Sequence, residues 1–304
     1  MKKFIITVDT EGDNLWKWSQ GDEIQTENAL FIPRFQELCE KYGFVPTYLT
    51  NYEMVMDERW VEYGSKKAKE GKCEIGMHIH AWNSPPYYDL ENRYGGNPYI
   101  TEYPDDVMEA KIHELMKLLR ECFKTEIVSA RSGRWATNEK YFDLLKREGI
   151  IVDCSVTPQI DLSKIPGCSD NCGNDYTFDP IQPFFLKNGL LEVPMTTRFV
   201  RHASRGSIKH RLKTLMVGEN MWLRAHTKSL EDLIKLSKRV QKEKVDYLEF
   251  MIHSSELMPN GSPYFRNEDE IELLFKVMEQ YFIWLKKAGY FGIALADYAK
   301  EYNI

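Results

Sequence analysis

Residues 74–86 read EIGMHIHAWNSPP. A short apolar run closes on two histidines two positions apart, with Trp82 and a Pro-Pro turn behind them. Side chains alternate along a strand, so His78 and His80 share a face with Gly76, same-face neighbours lying roughly 6.5 Å apart. If that face looks into the mouth of a barrel, the histidines are candidate metal ligands. If it does not, they are ordinary strand residues, and the rest of the chain has to decide.

Runs of the same kind recur from end to end: KFIITVD (3–9), FVPTYLT (44–50), CEIGMHIH (73–80), EIVSAR (126–131), IVDCSV (151–156), LLEVPMT (190–196), DYLEFMIH (246–253) and YFGIALAD (290–297). Amphipathic stretches lie between them. The 26–42 segment puts Phe31, Phe35, Leu38 and Tyr42 on one helical face and stops at Gly43. The 105–122 segment stacks Met108, Ile112, Leu115, Leu119 and Cys122. Ser229 with Asp232, and Asn267 with Glu270, have the spacing of a capping box. The second opens a helix with Ile271, Leu274, Phe275, Met278, Phe282 and Leu285 in one stripe. Strand–helix alternation over the whole length, without linker or repeat, predicts an α/β fold: a parallel barrel forming a single domain over residues 1–304. The irregular stretches 81–104 and 157–189 are long enough to expect function of them.

The formal net charge of −6 and a pI near 5.8 argue against nucleic acid or an anionic membrane as main partner. No apolar run is long enough for a transmembrane segment. The N-terminal MKKFIITVDTEGD reaches an aspartate too soon for a signal peptide and reads as a buried strand, so a cytoplasmic location is expected. Of the six cysteines, most sit in apolar stretches as expected of buried thiols. Cys168 and Cys172 have the wrong spacing for a zinc knuckle, leaving a thiol role or an incidental loop.

In a parallel barrel the active site lies where strands end. Here those ends carry Asp9 and Glu11, His78 and His80, Arg131, Asp153 and His253. Asp9 and Glu11 share a face with Thr7 as the histidines do with Gly76. An isolated HxH is commonly chance; imidazoles meeting carboxylates across a barrel mouth make a site suited to Zn²⁺ or a similar divalent ion. His253, outside the ligand set, suits a general acid because its ordinary pKa is near neutrality. Asp153 is expected to hold its other ring nitrogen, and Arg131 to pair with Asp9 and keep it ionised. Trp82, Arg134 and Trp135 are candidates for a sugar-binding rim, with packing under a loop the equal alternative for the tryptophans. The basic stretch 198–213 is either a solvated face or a contact for a phosphate-bearing substrate.

TVDTEGD, EIGMHIHAWNSPP, ARSGRWA, VDCSVTP, LEVPMTT and MIHSSELMPNGSP follow one another in an order that resembles the sequence blocks of polysaccharide deacetylases, the NodB-like carbohydrate esterase family 4. The resemblance spans residues 4 to about 296 and is nearest to a branch with DxE and HxHxW motifs. It implies a distorted (β/α)7-type barrel and a metal-dependent hydrolase that removes N-acetyl groups from amino sugars. By position Asp9 matches the catalytic base, Glu11 the second acidic ligand, His78 the first ligand histidine, Arg131 the arginine on the base, Asp153 the aspartate-bearing block and His253 the catalytic histidine. Four residues on from His78 stands Trp82 rather than a second histidine, so either His80 takes over as ligand or metal binding is weak or lost. The implied substrate is a small-molecule or lipid-linked amino sugar. A non-sugar C–N bond at the same site, or a non-catalytic carbohydrate-binding pseudoenzyme, are the alternatives.

Overall fold

The first strand, β1 (Lys2–Thr10), is buried without interruption from Phe4 onward. A strand covered on both faces reads as a near-continuous run of β-branched and apolar residues, as FIITV does. The computed structural model describes residues 1–13, 15, 23–169, 173–200, 209, 215–225 and 229–302. In it β1 pairs in parallel with β2 (Pro46–Thr50) on one side and β10 (Tyr247–His253) on the other. The sheet continues from β2 through β3 (Glu74–Ile79), β4 (Ser129–Ser132), β5 (Val152–Asp153) and β7 (Leu191–Glu192), all parallel, to β6 (Phe184–Phe185), which is antiparallel. β11 (Tyr290–Gly292) adds to the start of β1.

Among the described residues the sheet curls without a ladder between β7 and β10. Single bonds bridge that seam: Glu249 N–H donates to Thr196 Oγ1 (2.9 Å) and Met251 N–H to the Leu223 carbonyl (3.2 Å). Leu223 and Thr196 flank an antiparallel hairpin, β8 (Thr197–Val200) with β9 (Glu219–Trp222), that fills the space beside the seam. The architecture is the expected α/β distorted barrel, opened to a half-barrel on this side.

Helices pack on the outer face. α1 (Ile32–Tyr42) ends on Gly43 with φ 69°, a left-handed stop that glycine takes without strain. α4 (Asp105–Phe123) buries Met108, Ile112, Leu115 and Leu119 on its inner stripe. α6 (Leu230–Lys242) opens on the reciprocal Ser229/Asp232 capping box. α7 (Glu268–Lys287) opens on Asn267, whose side chain accepts from Glu270 N–H. Among the described residues no helix is long and apolar enough to cross a membrane.

Several strands, β5, β7 and β11 among them, are shorter than their apolar runs suggest, and one run changes character. Beyond Asp153, Val156 N–H is taken by the Glu192 side chain (2.9 Å), so a carboxylate replaces the ladder and β5 stops at two residues. In 290–297 only Tyr290–Gly292 is strand; α8 (Leu295–Tyr302) follows. Its first turn is capped from the sheet, with Leu295 N–H on Thr47 Oγ1 (3.0 Å) and Ala296 N–H on Glu74 Oε2 (2.9 Å). Those partners satisfy donors a helix start leaves open.

Candidate functional site

His78 lies on β3, His80 one residue beyond its end, and Glu11 one residue beyond the end of β1. The backbone at Glu11 is clamped: its N–H donates to Ser254 Oγ (3.1 Å) and its carbonyl accepts from Asn28 Nδ2 (2.8 Å). His78 Nδ1 sits 3.1 Å from the Arg131 carbonyl, which fixes Nδ1 as the donor and leaves the Nε2 lone pair facing the cavity. His80 Nε2 is 3.0 Å from His78 Nε2 and 2.7 Å from Glu11 Oε2, and His78 Nε2 is 3.4 Å from that same oxygen. Ligand atoms around a tetrahedral zinc stand about 3.4 Å apart, given bonds of ~2.1 Å. The three buried side chains therefore converge at nearly the separation a small divalent ion imposes.

The protonation states suit an ion too. Burial pushes Glu11 upward, but His253, His78 and His80 together hold it well below the usual carboxylate range. Burial keeps His80 below the ordinary histidine value despite Glu11, which favours the neutral form that a metal ligand needs. His78 is held down by burial yet drawn up more strongly by Asp9 and Glu11, a sign that this end of the barrel carries surplus negative charge. The donor set, two imidazoles and a carboxylate, thus fits a divalent metal.

Beside this triad lies Asp9, whose Oδ2 is 4.0 Å from His78 Nε2. Its Oδ1 is 2.5 Å from Arg131 Nη1. Burial raises the Asp9 carboxyl, and Arg131, followed by His78 and His253, overcomes that and holds it below its ordinary value. Arg131 itself is completely buried. It also donates to Thr7 Oγ1 (2.9 Å), the Cys154 carbonyl (3.1 Å) and the Glu249 carboxylate.

His253 closes β10 directly opposite Asp9 in the ladder. Its Nε2 is 3.9 Å from Asp9 Oδ2 and 3.7 Å from Glu11 Oε1. The other ring nitrogen does not meet Asp153, contrary to the expectation from strand ends. His253 Nδ1 lies 3.2 Å from Glu256 Oε2 and 2.8 Å from an Arg224 guanidinium nitrogen, while Arg224 and Glu256 form an ion pair of 2.9 Å. Asp153 is placed elsewhere by register: β5 runs between β4 and β7, and Asp153 aligns with Glu192. Burial raises both carboxyls of that pair, and a proton shared between them relieves their repulsion.

A cavity of about 280 Å³ opens over these groups, walled by Trp82, Trp135 and Arg134. The Trp82 ring packs against His80 with centroids 4.3 Å apart. Trp135 lies under the Arg131 guanidinium (5.0 Å) and beside Trp222 (5.3 Å). Arg134 donates to the carbonyls of Asn97 and Pro166 and covers the Tyr99 ring at 3.9 Å. Arg134 and Trp135 both take positive φ, 56° and 62°, a turn that swings this loop over the cavity.

Arg224, Glu256 and Glu249 were not among the expected residues. Glu256 had a signal, standing three positions after His253, within reach of that residue's own N–H (2.8 Å). Glu249 alternates with Met251 and His253 on one face of β10. Arg224 had none, since it follows a hairpin whose pairing is not written in its own composition. Cys168 is a buried free thiol, while Cys172 lies outside the described residues, as does most of 198–213. Within that basic stretch Arg198 is buried and paired with Glu243 (2.6 Å).

No family model matches the sequence, and no curated protein does either. Solved structures do match. A Mycobacterium smegmatis protein assigned as a polysaccharide deacetylase superposes with a TM-score of 0.54 at 14% identity, covering 99% of this chain and 90% of that one. A glycoside hydrolase family 57 branching enzyme from Thermococcus kodakaraensis gives 0.59 at 10% identity, covering 99% and 71%. The chain thus has, over its whole length and at low identity, the distorted barrel fold of the polysaccharide deacetylases, a fold that it also shares with that branching enzyme.

Proposed function

We propose that the protein is a divalent-metal-dependent hydrolase that removes an N-acetyl or similar acyl group from an amino sugar. The convergence of Glu11 Oε2, His78 Nε2 and His80 Nε2 beside Asp9 and His253 carries this reading. Zinc is the ion that two imidazoles and a carboxylate suit best. When bound, such an ion supplies Lewis-acid activation of water and of the acyl carbonyl.

The chain's own residues supply the proton transfers. Asp9, kept ionised by Arg131, takes a proton from the attacking water at Oδ2, the oxygen that does not face the guanidinium. The water oxygen bonds to the acyl carbon. His253 Nε2, across the pocket, gives a proton to the departing nitrogen as the C–N bond breaks, because an amide nitrogen leaves poorly as an anion. Glu256 and Arg224 orient the His253 ring through Nδ1. Trp82 and Trp135 offer flat faces on which a sugar ring can lie.

The test is elemental analysis of the purified protein alongside acetate release from a panel of N-acetylated amino sugars. About one equivalent of metal, lost in His80→Ala together with acetate release, supports the reading. Protein that stays metal-free after reconstitution, or a metal-loaded form that releases nothing from the panel, sinks it. The likeness to a branching enzyme raises a second reading, action on a glycosidic bond, for which two carboxylates must flank the bond about 5–9.5 Å apart. Asp9 and Glu11 are both held below their ordinary values, one engaged by Arg131 and the other by His80, so neither suits the protonated acid that such a reaction needs. Chain shortening or transfer on a glucan, without acetate release, would favour that reading.

A further inference from the structure

The loop after β3 forms a second hollow that adjoins the first. It has a volume of about 240 Å³, its walls include Tyr87, Tyr103 and Lys111, and it shares Trp82 and Asn97 with the cavity over His80. Lys111 belongs to the inner side of α4 and is 1% exposed. Its Nζ donates to the carbonyls of Ser84 and Pro86, both at 2.6 Å, and lies 4.8 Å from the centre of the Tyr103 ring. Among the described residues no carboxylate pairs with it. Asp89 also borders the hollow but is exposed.

A buried ammonium without a counter-charge is costly, and burial lowers Lys111 to about 8. Holding two loop carbonyls does not by itself call for a charge, since a neutral amide donor could do it. The same pattern repeats across the shared wall. Arg134 is held by two carbonyls and the Tyr99 ring, with no ion pair among the described residues. The nearby Glu102 carboxylate is instead occupied by the N–H groups of Tyr99, Cys168 and Ser169. Two cations without an ion pair among the described residues thus stand on either side of the wall the two hollows share, Lys111 in one and Arg134 in the other, in a protein whose net charge is −6.

We infer that the trough over Lys111 is an anion subsite: it takes a phosphate or carboxylate group carried by the amino-sugar substrate, while the acyl group lies in the cavity over His80. This rests on the hydrolase reading above and narrows it to acidic saccharides. The aromatic walls offer stacking faces for the sugar between the two ends.

Isothermal titration of the metal-loaded protein tests it, using N-acetylglucosamine, its 1-phosphate, its uridine-diphosphate ester and N-acetylglucosaminuronic acid. At least one acidic sugar is expected to bind roughly tenfold or more tighter than the neutral one, the scale of one charge-assisted hydrogen bond. Which of them does so tells a phosphate from a carboxylate. Lys111→Met should erase that advantage while leaving the weaker neutral binding in place. Should that variant not fold, loss of the advantage in wild-type protein under competing sulfate serves instead. Equal binding of neutral and acidic sugars by wild-type protein overturns the inference, as does a folded Lys111→Met that keeps the advantage. Acidic sugars bound tightly but never deacetylated leave the subsite standing and remove the hydrolase reading. Neutral sugars bound equally well and deacetylated do the reverse, and if no sugar binds, both fall.

Discussion

Arg131 and its carboxylates divide the labour of charge at the bottom of the cavity. Asp9 is held ionised, whereas Glu249, bonded to the same guanidinium, is pushed up to about 7 by burial despite Arg131 and Thr7. A carboxyl whose folded pKa exceeds its unfolded value binds protons more readily when folded. Glu249 therefore lowers stability progressively as pH rises from about 4.5 to about 7, and by a constant amount above that. Asp9 and Glu11, whose folded values are depressed, act oppositely: their contribution is present above the unfolded values and is lost as pH falls through the folded ones. Glu249→Gln should narrow the stability difference between about pH 5 and about pH 8, read from urea midpoints. An unchanged difference would mean that Glu249 is ionised throughout. At the same scale, Asp9→Asn and His253→Ala should each keep the metal and lose about 10²-fold or more in turnover. Loss of metal in either variant would move that residue into the ligand set.

At the scale of elements, His80 depends on its neighbours more than His78 does. His78 is anchored through Nδ1, while His80 Nδ1 has no hydrogen-bond partner among the described residues. Packing holds that ring, chiefly Trp82 and the turn after β4, where a Cβ on Gly133 would stand 2.5 Å from His80 Nδ1 and 2.6 Å from the Ile79 carbonyl. Gly133→Ala is expected to cost about 1–3 kcal/mol of stability through overpacking and to weaken metal affinity. Native metal affinity in the folded variant would show that the His80 ring is free to shift. Gly76 is confined as well, with an added Cβ 2.4 Å from Ser129 Oγ and 2.7 Å from Leu49, so its smallness serves packing between β2 and β4.

What could be read in advance follows from these distances. Strand cores and helix stripes were legible because burial imposes periods of two and 3.6. The grouping of Asp9, Glu11, His78, His80, Arg131 and His253 was legible because barrel strands deliver their ends to one place. Which end faces which was not. Asp153 meets Glu192 and His253 meets Glu256 because of strand order and a local turn, and neither is stated by a residue's own strand. The helical end of 290–297 was hidden because Thr47 and Glu74, remote in sequence, cap it.

For the molecule as a whole, a metal that binds only the folded chain must stabilise it. Saturation at a hundred times the dissociation constant is worth ~2.7 kcal/mol, or about 5 °C in Tm for a chain of this size. Zinc titrated into metal-free protein should raise Tm by that order, and His80→Ala should respond little; an equal response in both would place the ion elsewhere. Arg131 bears on how the chain reaches this state. Its partners Asp9 and Glu249 lie 122 residues before it and 118 after it. During synthesis the guanidinium can be paired from the amino-terminal side early, but it keeps an unfilled donor until β10 has emerged. A chain still lacking its last strands thus has a strong reason to leave this interior open to water. Contacts of such sequence separation close slowly and late. The cavity beside Arg131 is therefore expected to close only after β10 has paired with β1, late in assembly.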